Sequence, residues 1–302
     1  MPSIEEQAAK QRLDYIAKRQ ELLESAVNAM QYALYEAVLV QLNKIADDPA
    51  VLDALWRKFN QQEHLKVITR FSQDIFSIGK QNDVYFKAIF EGEIPKDYAV
   101  IKKEADIYLL ERFGLTPKGE PVPEGFIDSF VKDTRIKQEL KQYAYKAQTS
   151  GVGLEKFKQG FKEIIAPIQE KGTLQRFYSD FAYDTYQQVD ATIQDFYSRK
   201  LDLQAAFYLG GIIEGTRVFC RLRNGRVFIR SEIQKFGSPN DTYGGYTNKS
   251  EGKFTGKNEP YDPFEDRGGA NCRHGYAFLT NKQALRRRED LEEVDGKLRV
   301  KN

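Results

Sequence analysis

Cysteine, histidine and long apolar runs are all scarce in this chain. Two Cys and two His occur in 302 residues. Soft-ligand metal chemistry is therefore capped at one closed site using nearly every such side chain, which excludes a multi-zinc protein. A small scaffold stapled by several disulfides is excluded on the same ground. No apolar run approaches the ~18 residues needed to cross a bilayer; the longest candidates are 37–40 and 205–213, and no membrane association is expected. Excess charge of one sign is missing too. With 46 basic and 44 acidic side chains the net charge is +2, so any basic surface must be local. Met1-Pro2-Ser3-Ile4-Glu5-Glu6 has no basic region leading into an apolar stretch, so no secretory signal is expected and synthesis is placed in the cytoplasm. Phosphate-cradling loops are lacking as well. Neither Gly151-Val152-Gly153 nor Gly210-Gly211 leads into Gly-Lys-Ser/Thr, and Lys156 stands where a third dinucleotide glycine would fall.

Aromatic side chains are abundant. A mean hydropathy of −0.60 would suit a disordered chain. Against it stand 20 Phe and 17 Tyr, whose large burial energies argue for a folded protein.

The first half reads as helix. Leu13, Ile16, Leu23, Val27, Met30, Leu34, Val38, Leu42 and Ile45 recur at steps of three, four or seven and stack on one helical face. Asp47-Asp48-Pro49 should stop this helix and start another carrying Leu52, Leu55, Trp56 and Phe59. A third pattern runs through Leu65, Ile68, Phe71, Ile75, Ile78, Phe86 and Phe90 to Gly92 and Pro95, with His64 expected at the surface. Residues 114–125 concentrate glycine and proline and read as a loop. Helix resumes over 126–147. Ser150-Gly151-Val152-Gly153 then suggests a domain boundary, followed by helices near 154–165 and 174–201. In the last of these, Phe177, Phe181, Tyr186, Val189, Ile193 and Phe196 form a stripe expected to pack against neighbouring helices.

After Leu201 the helical period disappears. Asn224-Gly225 between 217–223 and 226–230 has the form of a two-residue hairpin turn. That pairing would set Leu222 opposite Val227 and Cys220 opposite Ile229, burying one face. Arg217, Arg221, Arg223, Arg226 and Arg230, with Phe219 and Phe228 between them, would occupy the other. Such a face suits phosphates or an acidic partner, because guanidinium forks bind either in bidentate fashion; arginines pairing with nearby carboxylates would look the same. Residues 234–265 form a long irregular region of the kind usually tied to function or to a partner. The tail, 283–302, alternates in sign and reads as a solvated helix or a disordered end.

Cys220, Cys272 and His274 are the one set of metal-ligand types, and Asp262 or Asp266 could complete a tetrahedron with them. Two other readings compete: buried thiols that only pack, and a Cys220 to Cys272 disulfide. A Cys272–His274 catalytic pair has no orienting third group. The expectation taken here is a structural Cys/His cluster, with no metal, no cofactor and no catalytic residue.

Tyr208-Leu209-Gly210-Gly211, Thr216-Arg217-Val218-Phe219-Cys220, Asn224-Gly225-Arg226-Val227-Phe228, Glu232-Ile233, Gly268-Gly269 and Asn271-Cys272-Arg273-His274 together resemble the C-terminal domain of phage head morphogenesis proteins, the Mu F-like minor head proteins. The resemblance covers about 150–280; this chain has one Cys after Thr-Arg and His274 in place of a final Cys. It implies a virion protein near the portal or on the inner capsid surface, present in a few copies and acting in head assembly, DNA packaging or ejection. Its partners would be portal, capsid or connector subunits, and packaged DNA through the arginines. The combined expectation is an α+β protein: a helical domain over 1–149, a Mu F-like α+β domain over 150–282 and a charged tail over 283–302. An enzyme acting on nucleic acid or transferring a group, with His274, Arg273 and Asp266 in its site, and a DNA-binding module are the alternatives.

Overall fold

The computed structural model describes residues 3–131, 135–167, 171–244, 260–269 and 272–301. The fold is α+β, with helices through the first two thirds and small antiparallel sheets near the C-terminus. Asn271, residues 245–259 of the irregular region and the side chains of Phe177 and Phe181 lie outside what is described.

Helix α1 (Ile4–Val40) follows its apolar stripe, with Ile16, Leu23, Val27, Met30, Leu34 and Val38 all buried. It gives way to α2 (Leu42–Asp47) and then α3 (Val51–Phe59), at whose start Asp48 Oδ1 accepts the Ala50 N–H at 2.9 Å. A π-helical turn (Asn60–His64) joins α3 to α4 (Leu65–Ile89), which ends where Glu91 and Gly92 take positive φ. Helix α5 (Tyr98–Phe113) is one that the apolar pattern does not mark. Its buried positions, Tyr98, Ile101, Ala105, Leu109 and Phe113, have helical spacing, but exposed Val100 and Ile107 blur the contrast between faces.

The loop over 114–125 closes on itself: a Cβ on Gly114 would meet Gly125 Cα at 2.7 Å, and Leu115 bridges to Pro121. Helices α6 (Phe126–Val131), α7 (Arg135–Thr149), α8 (Leu154–Ile165) and α9 (Thr173–Lys200) follow.

His64 is buried, not at the surface. Its Nδ1 meets Asn60 Oδ1 and its Nε2 meets the Tyr178 hydroxyl. A π-turn inserts an extra residue into the helical count, so a 3.6-residue wheel drawn through 60–64 puts His64 on the wrong face.

Two compact units can be distinguished. The first comprises Met1–Lys18, Ile75–Leu109 and Tyr183–Asn302; the second comprises Arg19–Asp74 and Leu110–Ala182. Their limits fall within α1, α4, α5 and α9, and the break expected at 149/150 lies inside the second unit. Within that unit α7 is tied to α3 by Lys137 and Lys141 on Asp53, and Tyr143 packs on Phe157 and Phe161 of α8.

The first unit holds a three-stranded antiparallel sheet in the order β2-β1-β3, formed by β1 (Ala205–Leu209), β2 (Arg226–Ile229) and β3 (Gly275–Leu279). Ala206 pairs with Phe228 on one side and Phe278 on the other, and Tyr208 with Arg226 and Tyr276. The expected hairpin is therefore overturned. Residues Val218–Arg223 form a helix, α10, and β2 takes β1 as its partner. Burial within α10 is helical: Phe219, Cys220 and Arg223 are inside, Val218 and Leu222 outside. The turn geometry agrees. A type I′ hairpin needs positive φ at both central residues; here Asn224 has φ −57 and only Gly225, at φ 80, is positive.

Period-two alternation divides the sheet. Ala205, Val227, Ile229 and Leu279 face Ala284 of the helix Asn281–Arg287, and Leu291 and Leu298 of the hairpin β4 (Leu291–Val294) and β5 (Lys297–Val300). The tail is thus neither a free solvated helix nor disordered; it covers one face of the sheet. Arg288 is held by Glu232 and Asp290, and Arg287 by Glu5 and Glu6. Tyr208, Phe228, Tyr276 and Phe278 occupy the opposite face, toward the site described below.

Strand β3 is an edge strand, yet it is buried along its whole length. Its outward carbonyls do not go unpaired. His274 O accepts from Arg267 Nη1 at 3.0 Å, Tyr276 O from Arg12 Nη2 at 2.6 Å and Phe278 O from the Tyr85 hydroxyl at 2.6 Å. Side chains replace the missing neighbouring strand and block further edge pairing.

Candidate functional site

Cys220 and Cys272, 52 residues apart, meet with His274 on the tyrosine face of the sheet. The first turn of α10 supplies Cys220, and the segment entering β3 supplies the other two. The sulfurs are 3.6 Å apart, and one ligand atom from each residue lies within 4.8 Å of the others. All three are buried, at 2%, 4% and 3% exposure. Both thiols are free, so the disulfide reading is not realised here. Asp262 and Asp266 do not join the cluster; Asp266 accepts the Asp262 N–H, and Asp262 accepts the Phe264 N–H.

Tyr208 completes the arrangement. Its ring stacks on His274 with centroids 5.3 Å apart and planes 12° apart, and its hydroxyl lies 3.3 Å from Cys220 Sγ and 3.9 Å from Cys272 Sγ. Two glycines let the chain close in. A Cβ on Gly268 would sit 2.4 Å from Cys220 Sγ and 2.8 Å from Cys272 Sγ, and one on Gly210 would strike the His274 backbone at 2.5 Å. Arg217 Nη1 donates to Gly268 O at 3.0 Å and fixes that wall to the start of α10.

The electrostatics are asymmetric. The hydrogen bond from Cys220 draws the Cys272 thiol well below its ordinary range, against the opposing effect of burial and with further help from His274. That shared hydrogen bond and burial push Cys220 up, so Cys220 keeps its proton. Burial, then the two sulfurs, keep Tyr208 protonated and able to donate. His274 Nε2 is buried with no hydrogen-bond partner among the described residues. A soft, compact, closed donor set of this kind can stabilise a fold or hold a soft cation.

The five arginines do not share a face. Arg223 is fully buried; it donates to Asp241, Gly244 O and Phe219 O and lies 3.8 Å over the Phe219 ring. Arg230 is bound by Asp195 and Ser198 and lies over Phe264. Arg217, Arg221 and Arg226 are exposed, but the first is committed to Gly268 O. Of the other two, Arg221 donates to Thr216 O and Arg226 lies 5.4 Å from the Tyr243 ring centroid. Helix in place of strand is the cause, since successive side chains of α10 turn through a helical screw and do not alternate between two faces.

Sequence reasoning singles out the three ligating types but not Arg267, whose guanidinium ties His274 O and Gln187 to Asp190. Its sole sequence signal is its place next to Gly268-Gly269, in a positive-φ turn. No protein family, no curated protein and no solved structure matches the chain.

Proposed function

We propose that the chain is a structural component of a phage head, a minor head protein that acts by docking on portal, capsid or connector subunits and turns over no substrate. One observation carries this reading: the residues behind the Mu F-like resemblance converge. Tyr208, Arg217, Cys220, Gly268, Cys272 and His274, far apart in the chain, bond or pack with one another in a closed cluster. Side chains engaged in this way hold a module together and are shielded from any substrate. Exposed in the flanking sequence are Arg221, Arg226 and Arg273, with Ile212, Ile213, Val218 and Leu222, side-chain types suited to protein docking or to phosphate contact. Among the described residues no helix is long and apolar enough to cross a membrane.

Phage particles produced from the genome that encodes the chain should contain it in a few copies per head, and its deletion should lower the yield of DNA-filled heads. Particles that lack the chain and fill normally without it would refute the assignment. If Arg221 and Arg226 touch DNA, binding must weaken steeply with added salt, and each arginine removed should lower the salt slope by about one.

A further inference from the structure

In the sequence, Cys220, Cys272 and His274 read as a structural cluster without a metal; their geometry goes further. A tetrahedral zinc ion with Zn–S bonds of ~2.3 Å holds two sulfurs about 3.8 Å apart, and a sulfur and a nitrogen about 3.6 Å apart. The two sulfurs here stand at 3.6 Å, and the imidazole nitrogen lies within 4.8 Å of both. Among the described residues, no other group of three such side chains is gathered closely enough to hold a metal.

A second and independent observation concerns hydrogen bonding. His274 is 3% exposed and its Nε2 finds no partner among the described residues, which is costly for a buried polar nitrogen unless something else engages the ring. A third is steric. The chain at Gly268 comes so close to both sulfurs that a methyl group there would collide with each, so the sulfur pair is enclosed by backbone. Tyr208 Oη, 3.3 Å and 3.9 Å from the sulfurs, brackets the roughly 3.5 Å that an oxygen and a sulfur span on one zinc.

We propose that Cys220, Cys272 and His274 bind one zinc ion, with Tyr208 Oη against the fourth position, as a structural tie between α10 and the start of β3. On binding, both sulfurs enter as thiolates and their protons pass to solvent, so affinity rises with pH. The site is closed and its ligands come from two segments 52 residues apart in the chain, so the ion would tie those segments together. This assignment is independent of the phage reading.

The test uses the full chain, expressed with zinc and purified without chelator. Elemental analysis should find about one zinc per chain, and Cys220→Ser, Cys272→Ser and His274→Ala should each lose most of it. Cobalt(II) replacing zinc in the wild-type protein should produce a thiolate-to-cobalt charge-transfer band in the near ultraviolet, a readout that does not depend on whether any variant folds. A folded wild-type chain without stoichiometric zinc and without that band overturns the proposal. So does zinc retained in a folded Cys220→Ser/Cys272→Ser double variant, or a Cys220–Cys272 disulfide in freshly purified protein.

Discussion

Arg223 and Asp241 form an ion pair shut away from solvent, with the guanidinium in the corner between the rings of Phe219 and Phe236, which stand edge-on to each other. This pair anchors the start of the irregular region to α10. Asp241 also accepts the backbone N–H groups of Gly237 and Tyr243, so the carboxylate organises its own loop around the arginine. Replacing Arg223 by Met should cost about 3–5 kcal/mol, because it leaves a buried carboxylate without its cation. Urea unfolding measures this; a loss below ~1 kcal/mol would show that the carboxylate is solvated. Arg223→Lys should recover only part, since an ammonium can neither lie flat against an aromatic ring nor reach several acceptors in one plane.

Gly268→Ala tests the wall of the cluster. Its Cβ would have to displace both sulfurs, and a cost of about 1–3 kcal/mol is expected from overpacking. Gly211, which has nothing within 4 Å of an added Cβ but a φ of +74, should lose about 1 kcal/mol on the same substitution for backbone reasons alone. Thermal unfolding of the two variants side by side separates crowding from conformational strain.

Tyr85→Phe removes the donor to Phe278 O on the edge of β3. A loss of about 1–2 kcal/mol is expected, as a buried carbonyl is left unpaired. Amide hydrogen exchange should accelerate in β3 more than in β2, which is on the far side of the sheet. Equal acceleration in both would mean that the sheet opens only as a unit.

Arg287 joins the tail to the start of α1 through Glu5 and Glu6. The hydrogen bond from Arg287 holds the Glu6 carboxyl below its ordinary 4.5, with burial opposing. Burial pushes Glu5 up, but hydrogen bonds from backbone, Ser3 and Arg287 outweigh it and the net shift is downward. Both folded values are depressed, so the unfolded chain binds protons first on acidification. The stability they contribute is complete above pH 4.5 and is lost as pH falls through the folded values. Arg287→Met should lower stability near neutrality by about 2 kcal/mol and flatten the dependence below pH 4.5. An unchanged acid limb in the variant would assign that dependence to other carboxylates.

The two Asx-Gly turns show what was legible and what was not. Asn224-Gly225 has the stronger local hairpin signature, flanked by β-branched and aromatic residues, yet it joins a helix to a strand. Asp295-Gly296, in the charged tail, makes the true two-residue hairpin: both residues have positive φ and Val294 pairs with Lys297. The difference lies beyond the turn. Ala205–Leu209 outcompetes 217–223 for β2, and residues 218–223 gain more by burying Phe219, Cys220 and Arg223 on one side of a helix. The short tail strands find their cover in the sheet's outer face.

Helix periodicity, the glycine-proline loop over 114–125 and the α+β composition follow from the sequence, because each depends on neighbours within a few turns of chain, and the Cys/His set follows from how few such residues there are. Only the tertiary structure decided which arginines reach solvent, where His64 lies, and that Cys220 meets Cys272 and His274 beside Tyr208. Those outcomes depend on strand partners and helix faces contributed by segments far away in the chain, and local spacing holds no record of which of them will be buried together.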